Sequence, residues 1–159
     1  MQVILVHHAD ALSPSVDPQR ALSPLGRRQA EWLAEQVRAA GFSPAVIWHS
    51  GKLRARQTAE PFLRVCNPMA EFRMVRGLRS EDPAEWMRDE LHAETRDALL
   101  VGHMPHIAAL AHCLVPAADA LTLNGLVALE RVDATWVELW RASPPASATL
   151  VALDEHGDG

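Results

Sequence analysis

Short apolar runs alternate with helix-like segments along the chain. Seven runs predict strands, and they lie at residues 3–6, 45–50, 71–75, 98–103, 125–132, 135–141 and 148–153. The first run is continuously apolar, which is typical of a strand that is covered on both faces. The three runs nearest the C-terminus predict closing strands, some of them antiparallel.

The first helix is predicted after a Pro- and Ser-rich loop. Ser23 is a suitable N-cap, Pro24 fits the first helical position, and Gly41 would end the helix. The predicted buried face follows the i, i+3, i+4, i+7 spacing and consists of Ala30, Leu33, Ala34 and Val37.

Three further helices are predicted between the later strands. The second begins at Ser50, and Pro61 inside its apolar pattern predicts a kink or a break. The third is capped by Asp82 with Pro83 in its first position, and the fourth has Pro105 in its first position.

This alternation predicts an α/β domain whose mainly parallel sheet is covered by helices on both faces. Ligands of such sheets bind beyond the carboxyl ends of the strands. His7, His8, His49 and His103 all fall at predicted strand ends. We therefore expect His7, His8 and His103 near a binding crevice, and we interpret His49 as a packed strand residue.

Composition limits the class of protein. The chain has 159 residues, 48% of them hydrophobic, which predicts a single domain over residues 1–159. The net charge of −5 argues against nucleic-acid binding. No apolar run approaches the ~20 residues of a membrane span, and the N-terminus does not resemble a signal peptide. Two cysteines form no disulfide framework, so we expect a cytoplasmic protein without membrane contact.

Three segments carry candidate chemistry: "HHA" after the first strand, "SGKLRARQTA" after the second and "VGHMP" after the fourth. A histidine can attack phosphorus and carry the phosphoryl group covalently. Arginine binds phosphate oxygens as a fork, and helix N-termini also bind anions. Phosphoryl transfer depends mainly on positioning and charge neutralisation, so we expect no cofactor and no metal.

These segments resemble the motifs of the histidine phosphatase superfamily, within it the small phosphohistidine phosphatases of the SixA type. That family begins with Arg-His-Gly, where this chain has His7-His8-Ala9. Three further family motifs match "RALSPLG" at 20–26, "SGKLRARQT" at 50–58 and "GHMP" at 102–105. The four matches keep the family's order within the first 115 residues. The resemblance implies a three-layer, phosphoglycerate mutase-like fold.

The resemblance also implies roles for single residues. His8 would be the nucleophile that accepts the phosphoryl group, and Arg54 and His103 would bind and neutralise its oxygens. Arg20 would lie at the rim of the pocket, and His7 would take the place of a phosphate-binding arginine. The implied substrates are a phosphorylated protein, such as a histidine-containing phosphotransfer or kinase domain, or a small phosphorylated molecule. We expect the protein to be a monomer.

Two departures from the family bear on activity. His7 replaces an arginine and is largely neutral at pH 7 unless the site raises its pKa. If it acts as a cation, activity should fall as the pH rises through neutrality. Ala9 replaces a glycine, at a cost of about 1 kcal/mol if the backbone there has a positive φ.

The general acid is the least defined role. Glu81 and Asp82 follow the third strand and are the nearest candidates, although Asp82 is explained by capping. We therefore name Glu81 as the possible acid. A phosphohistidine substrate needs no dedicated acid, because its P–N bond is labile and solvent can protonate the departing imidazole.

Two alternatives remain from the sequence. A non-catalytic relative could bind phosphate or a phosphoprotein through a degenerate site, as the missing arginine suggests. A metallohydrolase could use His7, His8 and His103. The second is disfavoured because adjacent residues of a strand point to opposite faces, so His7 and His8 would not bind one metal together unless the strand has already ended.

Overall fold

The computed structural model describes residues 1–146 and contains four helices and six strands in this part of the chain. In chain order they are β1 (Gln2–His7), α1 (Pro24–Ala39), β2 (Val46–His49), α2 (Leu53–Cys66), β3 (Glu71–Met74), α3 (Ala84–Ala93), β4 (Ala98–Gly102), α4 (His106–Leu114), β5 (Leu126–Val132) and β6 (Thr135–Ala142). The strand predicted at 148–153 lies outside the described residues.

The six strands form one sheet in the order β3-β2-β4-β1-β5-β6. The first four strands of this order run parallel, and β5 and β6 are antiparallel to their neighbours. The predicted α/β class with a mainly parallel sheet is confirmed. His7 pairs with Gly102 and His49 pairs with Val101, so β1, β2 and β4 end at nearly the same level. The residues that follow these strands therefore lie side by side.

Helices cover both faces of the sheet, as the pattern predicts. Val3 and Leu5 of β1 belong to the apolar cluster that includes residues of α3 and α4. Ile4 and Val6 belong to the opposite cluster with residues of α1 and α2. This alternation explains why β1 has to be apolar at every position. Within residues 1–146, no helix has the length and apolar character needed to span a membrane.

Helix α1 begins as predicted. The Ser23 Oγ accepts a hydrogen bond from the Gly26 amide at 3.0 Å, and Pro24 is the first helical residue. A Cβ on Gly26 would lie 1.9 Å from the carbonyl oxygen of Asp10. The amide of Asp10 also donates to Gln29 at 2.8 Å. The start of α1 therefore holds the loop that follows β1 against the sheet.

The predicted caps of α2 and α3 are wrong. α2 begins at Leu53, because the Ser50 Oγ bonds His103 at 2.6 Å and Gly51 turns the chain with φ +90°. α3 begins at Ala84, because Asp82 accepts a hydrogen bond from the Arg79 amide and closes the preceding turn.

Two prolines affect their helices differently from the prediction. Pro105 precedes α4, whose first residue is His106. The break predicted at Pro61 is wrong, because α2 runs from Leu53 to Cys66 with Pro61 inside it. Proline removes one helical hydrogen bond, but Pro61 and Phe62 are both buried. Packing of this face against the rest of the fold offsets the lost bond.

Candidate active site

Three imidazoles lie together where β1 and β4 end. The ring centroids of His7 and His8 are 4.4 Å apart, and those of His8 and His103 are 5.0 Å apart. The opposite orientation of adjacent strand residues does not apply to His7 and His8, which is the exception expected for a strand that has already ended. β1 ends at His7, so His8 is outside the regular alternation of the strand.

The hydrogen bond of His8 determines which ring nitrogen is free. Its Nδ1 lies 2.7 Å from the carbonyl oxygen of Ala9. A carbonyl oxygen can only accept, so Nδ1 carries the proton and Nε2 carries the lone pair. Burial, together with the charge of Arg54, lowers the pKa of His8 to about 4. His8 is therefore a neutral imidazole at pH 7 with a nucleophilic Nε2.

Arg54 lies in the first turn of α2 and supplies positive charge to the cluster. Its Nε is buried and has no hydrogen-bond partner among the described residues. Burial, and secondarily the charge of Arg20, lowers the pKa of the Arg54 guanidinium. A buried N–H donor without a partner is costly, so this position favours an anionic ligand.

Thr58 connects α2 to the loop after His8. Its Oγ1 accepts a hydrogen bond from the Ala9 amide at 3.0 Å and donates to the Arg54 carbonyl at 2.7 Å. One side chain thus sets the position of the first turn of α2 relative to His8. Ala9 is fully buried and is not among the described residues with a positive φ, so the cost foreseen for this alanine does not arise.

His103 is buried on the other side of His8. Its Nε2 bonds the Ser50 Oγ at 2.6 Å, whereas its Nδ1 is buried without a partner among the described residues. Burial, followed by the charges of His8 and Arg54, lowers the pKa of His103 to about 3. His103 therefore joins the cluster as a neutral imidazole.

Without a bound anion, His7 is neutral at pH 7 as well, so a cationic role would require the phosphoryl group to raise its pKa. Its Nδ1 accepts a hydrogen bond from the backbone amide of Asn124 at 2.8 Å. Burial, followed by the charges of His8 and Arg54, lowers the pKa of His7 to about 4. If activity depended on a protonated His7, it would be lost as the pH rises through about 4.

Arg20 and Glu81 are the remaining predicted site residues. The Arg20 Nε donates to the Leu12 carbonyl at 3.0 Å, and the charge of Arg20 contributes to the lowered pKa of His8. Glu81 is exposed and accepts a hydrogen bond from Ser80 at 2.8 Å. That bond lowers the pKa of Glu81, which is the opposite of what a proton donor at neutral pH requires.

Sequence reasoning missed three contributors to the site. Ser50 and Thr58 stand inside the quoted "SGKLRARQT" segment, so their positions there could have drawn attention to them. Asn124 had no such signal, because Asn-Gly before a strand indicates a turn and nothing more. Within residues 1–146, no group of three or more His, Cys, Asp and Glu side chains is arranged to hold a metal ion.

Comparison with known proteins shows the family of this chain. A sequence profile described as "Histidine phosphatase superfamily (branch 1)" matches residues 7–100, more than half of the chain. The chain belongs to the histidine phosphatase superfamily. The matched region contains His7, His8 and Arg54, and His103 follows three residues after it. No curated protein matches the chain significantly.

Solved structures show the same fold. The protein histidine phosphatase SixA in complex with tungstate aligns with a TM-score of 0.81 and 21% identity over 94% of this chain and 99% of that one. A protein from Agrobacterium tumefaciens that also bears the name SixA aligns at 0.75 and 24%, over 90% and 98%. Phosphoserine phosphatase from Entamoeba histolytica, bound to 3-phosphoglyceric acid, aligns at 0.68 and 15%, over 90% and 97%. At these identities the likeness concerns the fold.

The buried neutral histidines predict that stability falls in mild acid. An unfolded histidine titrates near 6.5, whereas the folded pKa is about 4 for His7 and His8 and about 3 for His103. Between these values the unfolded chain binds more protons. We therefore expect the free energy of unfolding to decrease from pH 7 to pH 5 by on the order of 1 kcal/mol per histidine.

Denaturant titrations at several pH values measure this slope. His103→Asn should make it shallower, and His112→Asn, which changes an exposed histidine, should leave it as in the wild type. Identical slopes in the wild type and in His103→Asn would contradict the account of a neutral cluster.

Proposed function

We propose that this protein is a phosphatase that transfers the phosphoryl group of a phosphohistidine to His8 and then to water. The observation that carries the proposal is the hydrogen bond from the His8 Nδ1 to the Ala9 carbonyl, which leaves the Nε2 lone pair free. A neutral imidazole of this kind is the form that attacks phosphorus. Membership of the histidine phosphatase superfamily supports the same reaction class.

The reaction has two displacements. In the first, the His8 Nε2 forms a P–N bond, the bond from phosphorus to the substrate imidazole breaks, and the departing nitrogen takes a proton from solvent. In the second, water attacks phosphorus, the bond to His8 breaks, and phosphate leaves. Arg54 neutralises the phosphoryl oxygens in both steps with the charge of its guanidinium. His103 lies beside the transferring group, at 5.0 Å from the ring of His8.

The unsuitability of Glu81, the acid named from the sequence, supports a phosphoramidate substrate over a phosphate ester. An alkoxide leaving group needs a positioned proton donor, and the lowered pKa keeps Glu81 ionised at neutral pH. An imidazole leaving group can take its proton from solvent. The structural neighbour at TM-score 0.81 is named a protein histidine phosphatase, which agrees with this choice.

A groove beside the cluster supports a protein as the carrier of the phosphohistidine. It has a volume of about 430 Å³ and extends from Ser50 to Trp86, with Arg76 and Arg79 along it. Asp82 also lines the groove and accepts a hydrogen bond from the Arg79 amide, and Trp86 is 59% exposed. We propose that this groove receives an acidic and partly apolar surface next to the phosphohistidine, as on a phosphotransfer or kinase domain.

The nucleophile is tested by substitution and labelling. His8→Ala should lower turnover of phosphoramidate by about 10³-fold or more and should carry no covalent phosphate, since no other group replaces the attacking nitrogen. Wild type quenched in alkaline denaturant should show a phosphohistidine at position 8 by mass spectrometry, and the label should be lost on later treatment with acid. His112→Ala is the exposed control and should retain both properties.

Two outcomes would contradict this assignment. Near-normal turnover by folded His8→Ala would remove His8 from the nucleophile's role. A wild type that binds vanadate, yet neither turns over nor becomes labelled, would support the non-catalytic relative instead.

Arg54 is tested by anion binding. Arg54→Ala should weaken vanadate binding by about 2 kcal/mol, roughly 30-fold, because it removes a charge-assisted donor from a partly dry pocket. Arg56→Ala is the matched control, because Arg56 is exposed and pairs with Glu60 at 3.1 Å. Equal losses in calorimetric titrations of the two variants would show that the anion does not bind at Arg54.

The groove is tested by reversing its charge. Arg76→Glu/Arg79→Glu should raise KM for a phosphorylated phosphotransfer domain about tenfold or more, while turnover of phosphoramidate stays within about twofold. Arg38→Glu/Arg64→Glu changes the same net charge in the last turns of α1 and α2. This control should affect neither substrate. Equal KM effects from the two double variants would indicate a general charge effect and no docking groove.

A further inference from the structure

The hydrogen bond to His7 assigns its tautomer. The Asn124 backbone amide lies 2.8 Å from the His7 Nδ1, and a backbone N–H can only donate. The His7 Nδ1 must therefore carry a lone pair, and the single proton of the neutral ring sits on Nε2. A hydroxyl or water partner can donate or accept and so leaves the tautomer of a histidine open, but the backbone N–H of Asn124 can only donate.

Asn124 is itself fixed at the end of β1. It has a left-handed backbone with φ +57°, which asparagine tolerates better than most residues. Its Nδ2 donates to the His8 carbonyl at 2.8 Å. The next residue, Gly125, accepts a hydrogen bond from the His7 amide at 3.0 Å. The turn that contains Asn124 therefore holds the main chain of both histidines and the ring of one.

The His7 Nε2–H is the donor that remains for a ligand. It has no hydrogen-bond partner among the described residues, and it is not one of their fully buried unpaired nitrogens. Its ring lies 4.4 Å from that of His8, whose own neighbour is His103. A phosphoryl group on the His8 Nε2 would therefore come close to His7.

The hydrogen bond of His7 and the groups around it oppose its protonation in the protein without a ligand. A second proton could go only to Nδ1, where it would meet the proton of the Asn124 amide. The charged and titratable groups that act on His7 are His8 and Arg54, and His7 in turn acts on His103. All of these disfavour a further positive charge in the cluster, and burial acts in the same direction.

We propose that His7 is a catalytic residue that donates a neutral Nε2–H hydrogen bond to the transferring phosphoryl group, and that Asn124 is the positioning residue that holds it in this tautomer. This proposal rests on the proposed function, because it assigns a donor to the same reaction. A preorganised donor of this type acts on the charge of the transferring group without carrying charge itself.

The first test separates the two ends of the His7 ring. His7→Asn places an amide oxygen near the Nδ1 position, so it can still accept from Asn124, but it does not reach the Nε2 position. Its kcat for phosphoramidate should fall about 100-fold with a smaller change in KM. His7→Gln extends an amide nitrogen toward the Nε2 position and should recover part of the loss. Folding of both variants is checked by circular dichroism and thermal unfolding.

The second test concerns Asn124. Asn124→Val disfavours the left-handed backbone and should displace the amide, whereas Asn124→Gly keeps this conformation and loses the bond to the His8 carbonyl. The valine variant should lose at least tenfold more kcat than the glycine variant. Asp133→Val is the matched control: Asp133 also has a left-handed backbone, φ +56°, in the β5–β6 turn. It should leave kcat unchanged.

Two measurements report on the tautomer of His7 and would not change if a substitution only destabilised the fold. Nitrogen-15 NMR of the wild type should show His7 as the neutral Nε2–H form from pH 6 to 8, and Asn124→Val should mix the tautomers. The pH dependence of kcat above pH 7 should be the same in the wild type and in His7→Asn, because His7 does not titrate in this range. A cationic or Nδ1–H form of His7 in the wild type, or a kcat of His7→Asn within threefold of the wild type, would overturn the proposal.

Failure of this proposal can be distinguished from failure of the proposed function. If the wild type turns over and His8 is labelled, while His7→Asn is equally active, the role of His7 is refuted and the phosphatase remains. If the wild type neither turns over nor labels His8, the proposed function fails first, and the role of His7 fails with it.

Discussion

Three buried imidazoles share a small space with one guanidinium, and they can do so because they are neutral. His7, His8 and His103 have lowered pKa values, first through burial and then through one another or through Arg54. If two of them were protonated, like charges would stand about 5 Å apart in a partly dry site. The positive charge of the site is therefore concentrated on arginine, and the histidines contribute lone pairs and N–H donors.

That arrangement depends on the level at which the strands end. The pairing of His7 with Gly102 and of His49 with Val101 brings three strand ends into line. A one-residue slip of β1 would exchange its two buried faces and carry the histidines away from His103. The apolar clusters on both faces of the sheet oppose such a slip, so core packing and site geometry are set by the same register.

The sequence predicted the fold class and the three segments that meet at the site, because both follow from periodicity and from motif order. It did not predict how the side chains are used there. Ser50 looks like a helix cap in the sequence, but its hydroxyl bonds His103 and the helix begins later. His7 and His8 would lie on opposite faces only inside a strand, and the sequence did not show that β1 ends at His7. Asn124 lies 117 positions from His7, and no local pattern indicates such a contact.

The contact between Asn124 and His7 also distinguishes this site from one that carries the arginine expected at position 7 from the family resemblance. An arginine at position 7 would bring only donors, so it could not accept from the Asn124 amide. A buried amide without an acceptor costs about 1–3 kcal/mol, and a second guanidinium would also repel Arg54. Replacing His7 by arginine would thus require a change in the turn at Asn124 as well. Position 7 and the turn at Asn124 are physically coupled, because this turn requires a hydrogen-bond acceptor in the side chain at position 7.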